Sequence, residues 1–301
     1  MDYNVPINFA GLNLKNPVII ASGILGLSQN IFDRLSKNGV GAIVSKSISN
    51  RPRVGYRNPT VVPLENQNWL NAVGLANPGA DAFSQEISNN KIPLFVSIVG
   101  SSTEEFQTIV QKFQSSKILG FELNLSCPHV EKMGMEIGDD PNLVREIIGS
   151  IKDHSKKPLI VKVGLGKSDI LHIAKIAEDA GADGITAINT LRAMKIDIVN
   201  KCPILENKIG GLSGAAIKPI GVRCVYELYK ALKIPIIGCG GIFTISDMLE
   251  YIMAGASAIQ VGSFIAYSGI DSVGNLVTDL RNYLESEGYK KLGEIVGIAH
   301  R

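Results

Sequence analysis

Eight short runs of β-branched and aliphatic residues, separated by stretches of helical periodicity, constrain this chain more than any other feature. They are PVIIAS (17–22), GAIVSK (41–46), PLFVSIVG (93–100), GFELNL (120–125), PLIVKVG (158–164), DGITAIN (183–189), IPIIGCGG (234–241) and SAIQVGS (257–263). Nearly all are apolar throughout instead of alternating, the pattern of parallel strands covered on both faces. Between them, TEEFQTIVQKFQ, PNLVREIIGSIKDH, DILHIAKIAEDAGA, AIKPIGVRCVYELYKAL and ISDMLEYIMAGA carry apolar residues at three- and four-residue spacing. Gly181 and Gly255 stand where a left-handed residue stops a helix. Strand and helix alternating eight times predict an α/β fold, a (β/α)8 TIM barrel. A doubly wound open sheet is the alternative, but no GxGxxG follows the first strand.

Two segments exceed a minimal barrel. Residues 3–17, YNVPINFAGLNLKNP, alternate around a glycine and predict an N-terminal β-hairpin closing the barrel bottom. Residues 47–78 form an extended loop after strand 2, rich in Pro and Asn and holding the only Trp. A long connection without its own helix tends to be functional. No linker, repeat or low-complexity tract interrupts the 301 residues, so one domain over 1–301 is expected.

Composition narrows the function classes. The chain is 45% hydrophobic and 19% charged, with a net charge of +2 and no basic stripe, which argues against nucleic acid as a partner. No apolar run reaches the roughly 18–20 residues of a membrane span, and MDYNVPINFAG lacks a signal pattern, so a cytoplasmic protein is expected. Cys127, Cys202, Cys224 and Cys239 show no CxxC spacing and no histidine pairing, so neither a metal site nor a disulfide framework is indicated. His129, His154, His172 and His300 give no metal signal either.

In a barrel of this kind the reacting groups gather at the carboxyl ends of the strands. Those ends carry Ser22, Lys46, Ser97, Asn124, Lys162, Asn189 with Thr190, Gly240 with Gly241, and Gly262 with Ser263. Lys46 and Lys162 each follow an apolar strand, so their ammonium groups should converge at the mouth and suit an anionic ligand. An inward lysine bridging a buried carboxylate is the other reading. GGLSG (210–214), GCGG (238–241) and QVGS (260–263) lie late in the chain, the last two at strands seven and eight, where barrels commonly bind phosphate. The stretch GFELNLSCPH (120–129) delivers an amide, Asn124, and a thiol, Cys127, to one strand end. On a polar loop such a thiolate is solvated or paired and therefore reactive, whereas a buried cysteine is inert.

On these residues the chain resembles the class I dihydroorotate dehydrogenases, and among them the catalytic subunit of the NAD-linked B-type. The resemblance runs over essentially the whole length through LKNPVIIASG (14–23), VSKSISNRPRVGYRNPT (44–60), LNAVGLANPG (70–79), ELNLSCPH (122–129), ADGITAINT (182–190), GGLSGAAIKP (210–219) and IPIIGCGGI (234–242). The LANPG ending favours the B-type over the fumarate-using A-type. The resemblance implies an FMN-containing barrel that oxidises (S)-dihydroorotate to orotate in pyrimidine (UMP) biosynthesis. It implies FMN contacts from Ser22, Lys46, Ser47, Ser97, Asn124, Lys162, Ile188, Gly214, Gly240, Gly241, Gly262 and Ser263. Substrate contacts would come from Lys46, Asn71, Ala72, Val73, Gly74, Leu75, Asn124, Asn189 and Thr190. Cys127 would take the C5 proton as general base, and Lys162 would stabilise negative charge at flavin N1.

Two positions depart from the family. Ser97 stands where its members usually have an Asn near the flavin, and His129 where many have an Asn that reaches substrate. The loop from Pro128 to Asp140 contains Gly134 and Gly138 and is a candidate lid. The chain has neither an iron–sulfur cysteine cluster nor a dinucleotide fingerprint. The resemblance therefore implies a homodimer joined by an electron-transfer subunit with FAD and a [2Fe-2S] cluster, a heterotetramer. Other readings are a flavin barrel acting on a related dihydropyrimidine, a dihydrouridine synthase-like enzyme lacking its RNA-binding extension, and a non-catalytic phosphate-ligand barrel.

Overall fold

Each apolar run becomes a strand buried along nearly its whole length, because helices cover its outer face and the barrel interior its inner one. The computed structural model describes residues 3–125 and 135–301. The barrel strands are β1 (Val18–Ile20), β2 (Ala42–Val44), β3 (Leu94–Ile98), β4 (Gly120–Asn124), β5 (Leu159–Val163), β6 (Gly184–Ala187), β7 (Ile236–Cys239) and β8 (Ala256–Val261). They pair in parallel in chain order, and β8 pairs with β1 to close the barrel.

A helix follows each strand: α1 (Gln29–Lys37), α2 (Ala80–Glu86), α3 (Thr103–Lys112), α4 (Pro141–His154), α5 (Ile170–Asp179), α6 (Lys218–Ala231), α7 (Ile245–Ala254) and α8 (Val273–Ser286). Local chemistry sets several ends. Asp140 caps α4 by accepting from the Asn142 and Leu143 N–H groups, and Pro141 occupies the first turn, where no donor is needed. Thr244 and Asp247 form a reciprocal capping box on α7, which Gly255 ends at φ 122°. The stripe Val144, Ile147, Ile148 and Ile151 turns α4 onto the core, each side chain contributing about 1.5–3 kcal/mol by burial. Helices α1, α2 and α8 fall outside the five helical stretches read from the sequence.

The predicted hairpin is present: Ile7–Phe9 pairs antiparallel with Leu12–Leu14. It drives Phe9, fully buried, into the bottom of the barrel among Ile19, Val44, Phe95, Ile160 and Ile237. A Cβ on Gly184 would lie 3.0 Å from the Phe9 ring, so β6 begins with the one residue that leaves the ring room.

At the opposite end the long connection after β2 is not a bare loop. It supplies Val61–Pro63 and Asn68–Asn71 to a four-stranded antiparallel sheet, completed by Gly210–Gly214 and Leu191–Ala193 from the connection after β6. GGLSG is therefore a strand and not the glycine turn its composition suggests. Its glycines permit close packing: a Cβ on Gly210 would come within 2.8 Å of the Asn71 carbonyl oxygen.

Candidate active site

Between this small sheet and the carboxyl ends of the barrel strands lies a cavity of about 270 Å³, near the lower end of the size range of small-molecule sites. Its wall draws on strand ends all round the barrel. Ser22 follows β1, Lys46 and Ser47 follow β2, Asn124 ends β4 and Lys162 lies on β5. Ile188, Asn189 and Thr190 follow β6, Gly240 and Gly241 follow β7, and Gly262 and Ser263 follow β8. The sheet contributes Val61, Trp69, Asn71 and Ser213, and the segment after it Val73, Gly74 and Leu75.

The two lysines differ in setting. Lys46 is half-buried, and its backbone is held by the loop after β1, where Gly26 accepts from the Lys46 N–H at 3.0 Å. Burial pulls its pKa below the ordinary lysine value. Lys162 is 5% exposed and sits deeper, donating from Nζ to Gln260 Oε1 at 3.2 Å with Glu122 Oε1 4.0 Å away. Burial opposes its charge, but Cys239 and Glu122 outweigh that effect and its pKa is raised. Burial also pushes the Cys239 thiol up, so at neutral pH it is a neutral neighbour and Glu122 is the group left to balance the ammonium. Lys162 thus lines the cavity and also faces a buried carboxylate.

A polar layer continues beneath the cavity floor. Glu122 on β4 is fully buried and accepts through Oε2 from Gln260 Nε2 at 2.6 Å and from Thr186 Oγ1 at 3.1 Å. The sequence analysis missed Glu122, Thr186, Gln260 and Cys239. For the first three the available signal was a polar residue within an otherwise apolar strand: Glu122 in GFELNL, Thr186 in DGITAIN and Gln260 in SAIQVGS.

Three assigned residues do not line the cavity. Ser97 is fully buried behind the wall, with its hydroxyl 2.9 Å from Ser47 Oγ. Ala72 packs beneath the sheet with Leu70 and Leu205. Gly214 is buried at φ 105°, and a Cβ there would meet the Gln67 carbonyl oxygen at 2.2 Å. Cys127, His129 and most of the Pro128–Asp140 segment lie outside the described residues. Among the described residues no group of three or more His, Cys, Asp or Glu side chains could hold a metal ion. Nor is any helix among them long and apolar enough to cross a membrane.

The fold is a closed (β/α)8 barrel with a cavity at its carboxyl rim lined by two lysines and by the glycine turn after β7. The chain belongs to the dihydroorotate dehydrogenase family, whose sequence model matches residues 5–284. It is accordingly an oxidoreductase of a flavoenzyme family. It is 44% identical over 295 residues to the dihydroorotate dehydrogenase B (NAD(+)) catalytic subunit of Pyrococcus abyssi, an alignment covering 97% of this chain and 98% of that one. The protein of the same name from Pyrococcus furiosus is 44% identical over 300 residues, covering 99% of each chain. That of Archaeoglobus fulgidus is 48% identical over 266 residues, covering 86% of this chain and 87% of its own.

Proposed function

We propose that this chain oxidises (S)-dihydroorotate to orotate, the redox step of pyrimidine (UMP) biosynthesis, with FMN as hydride acceptor. The observation that carries this reading is that Lys46 and Lys162 line one cavity at different depths. A carboxylate substrate and a cofactor that gains negative charge each call for a cation.

The residues present suit FMN. Gly240 and Gly241 both have positive φ, 126° and 66°, and a Cβ on Gly241 would meet the Gly214 carbonyl oxygen at 2.6 Å and Lys218 Cβ at 2.9 Å. That turn leaves backbone in place of side chains at the β7 end, as a phosphate group needs. Ser22, Ser47, Asn124, Ile188, Gly262 and Ser263 would complete the cofactor contacts, with Gly214 supporting the turn from behind and Ser97 supporting Ser47. When bound, FMN supplies the hydride acceptor.

The chain's own groups do the rest. Lys162 holds a positive charge at the cavity floor and would stabilise the negative charge that FMN, when bound, gains on reduction. Lys46 pairs with the substrate carboxylate. The amides of Asn71, Asn124 and Asn189 and the hydroxyl of Thr190 orient the ring, with Val73, Gly74 and Leu75 against one edge and Ala72 behind them. Trp69 and Leu75 supply apolar wall that would limit water around these groups, which strengthens each polar contact. Cys127 is the proposed base for the C5 proton.

The relatives are named as catalytic subunits, which implies a separate partner. On our reading, residues 1–301 act as one domain, pair as a homodimer in the cytoplasm, and pass electrons to a subunit carrying FAD and a [2Fe-2S] cluster that reduces NAD. Anaerobic titration of the FMN-loaded chain with dihydroorotate should bleach the flavin. NAD should be reduced rapidly only after the partner subunit is added. An unbleached flavin would overturn the substrate, and brisk NAD reduction by the isolated chain would overturn the partner.

A further inference from the structure

Lys162 reaches the cavity from a strand whose next layer is a buried acid and amide, and that arrangement is more than a lysine needs simply to be accommodated. Glu122, Thr186 and Gln260 come from β4, β6 and β8, three strands separated round the barrel, yet they converge on one point. Gln260 faces both ways, with Nε2 donating to Glu122 Oε2 at 2.6 Å and Oε1 accepting from Lys162 Nζ at 3.2 Å. The amide orientation is fixed by this polarity, because a carboxylate requires the donor end and an ammonium the acceptor end. Thr186 Oγ1 adds a second donor to Glu122 Oε2 at 3.1 Å. Glu122 Oε1 is buried without a hydrogen-bond partner and has the Lys162 ammonium 4.0 Å away. An acid with one satisfied oxygen and one left facing the ammonium acts on that ammonium through charge.

We propose that Glu122 is a positioning residue for Lys162: its carboxylate keeps the charge on the ammonium, and through Gln260 it fixes where that ammonium sits beneath the cofactor. The inference rests on the FMN reading above. The groups facing Lys162 are Glu122 from β4, Gln260 from β8 and Cys239 from β7, with Thr186 of β6 behind Glu122. Of these only Glu122 and Cys239 can carry negative charge, and burial pushes the Cys239 thiol up, away from its charged form. Removing the acid therefore removes the one anionic neighbour that Lys162 has among the described residues.

The test is the midpoint potential of the bound flavin between pH 6 and 9.5 in wild type and Glu122→Gln. Glutamine retains the shape and an acceptor but not the charge. In wild type Lys162 stays protonated throughout, so it contributes no pH dependence. In Glu122→Gln it should lose its proton within this range while the flavin is oxidised and regain it on reduction. That adds one proton to the couple, a tenfold effect per pH unit that corresponds to about 30 mV per pH unit for two electrons. Glu122→Asp should restore the wild-type slope. Equal slopes in wild type and Glu122→Gln would overturn the proposal, whereas a wild-type protein that binds no flavin would instead overturn the cofactor reading.

If Glu122→Gln does not fold, melting temperatures of Lys162→Met and of Lys162→Met with Glu122→Gln decide the matter without any flavin. Lys162→Met strands a buried acid, so adding Glu122→Gln should raise the melting temperature. A further fall would sink the idea.

Discussion

Asn124 donates from Nδ2 to Ser47 Oγ at 3.0 Å, joining the ends of β4 and β2 across the intervening β3. Ser97 on β3 lies under this bridge, its hydroxyl 2.9 Å from Ser47 Oγ and its N–H donating to Ser45 Oγ at 3.0 Å. The amide that faces the cavity is therefore aimed by two serines, only one of which reaches the wall. Ser97, where the family resemblance leads one to expect an asparagine beside the flavin, is buried behind the cavity wall.

Ser97→Ala should consequently act through Asn124. Removing a buried hydroxyl with one partner costs about 1 kcal/mol, and because Asn124 is assigned to both ligands, FMN affinity should fall several-fold and the substrate KM should rise by a similar factor. Release of fluorescent FMN on dilution measures the first, and steady-state kinetics with excess FMN the second.

Lys46 should govern the alkaline limit of anion binding. Its pKa is lowered by burial, so the ammonium is lost sooner than an ordinary lysine's as pH rises. Orotate affinity, read from the flavin spectrum, should therefore decline toward pH 10 in wild type. Lys46→Met should bind orotate at least tenfold more weakly at pH 7, and the decline should disappear.

Cys127 carries the heaviest chemical demand, although it lies outside the described residues. Cys127→Ser is nearly isosteric and should leave FMN content and orotate affinity intact. Flavin reduction should drop roughly 10²- to 10⁴-fold at neutral pH, the contribution of a positioned proton acceptor, and recover in part as pH rises. Stopped-flow bleaching at the wild-type rate near pH 7 would remove Cys127 from the base role.

Phe9→Ala should destabilise the barrel without touching the site. The ring is fully buried against five barrel strands, so its loss should cost about 3–5 kcal/mol. Urea denaturation would show this as a lower midpoint with an unchanged slope, while the FMN spectrum of the folded protein stays the same.

The barrel was legible because its strands are covered on both faces and so read as unbroken apolar runs, and because α3 to α7 carry long apolar stripes. The antiparallel sheet over the cavity was not. Its strands are short, two of them begin or end in glycine-rich or proline-rich sequence, and their partners lie at unrelated separations, Asn71 pairing with Gly211 and with Val61 and Leu191 with Leu212. No local periodicity records such a partner. The rim residues were found because a barrel has only one chemically active end. Glu122 and Gln260 were missed because each looks like an isolated exception within its strand until the closed barrel brings them to 2.6 Å.

The Phe9 plug has a kinetic consequence. The barrel interior below the cavity is filled by Phe9 and its neighbours and by the layer of Glu122, Thr186 and Gln260, so ligands reach the cavity from the rim and not through the base. On the proposed reading dihydroorotate and orotate occupy the same site, so each product molecule has to vacate it before its successor binds. Orotate should accordingly compete with dihydroorotate for the oxidised enzyme, and its accumulation would slow the enzyme by occupying the threshold.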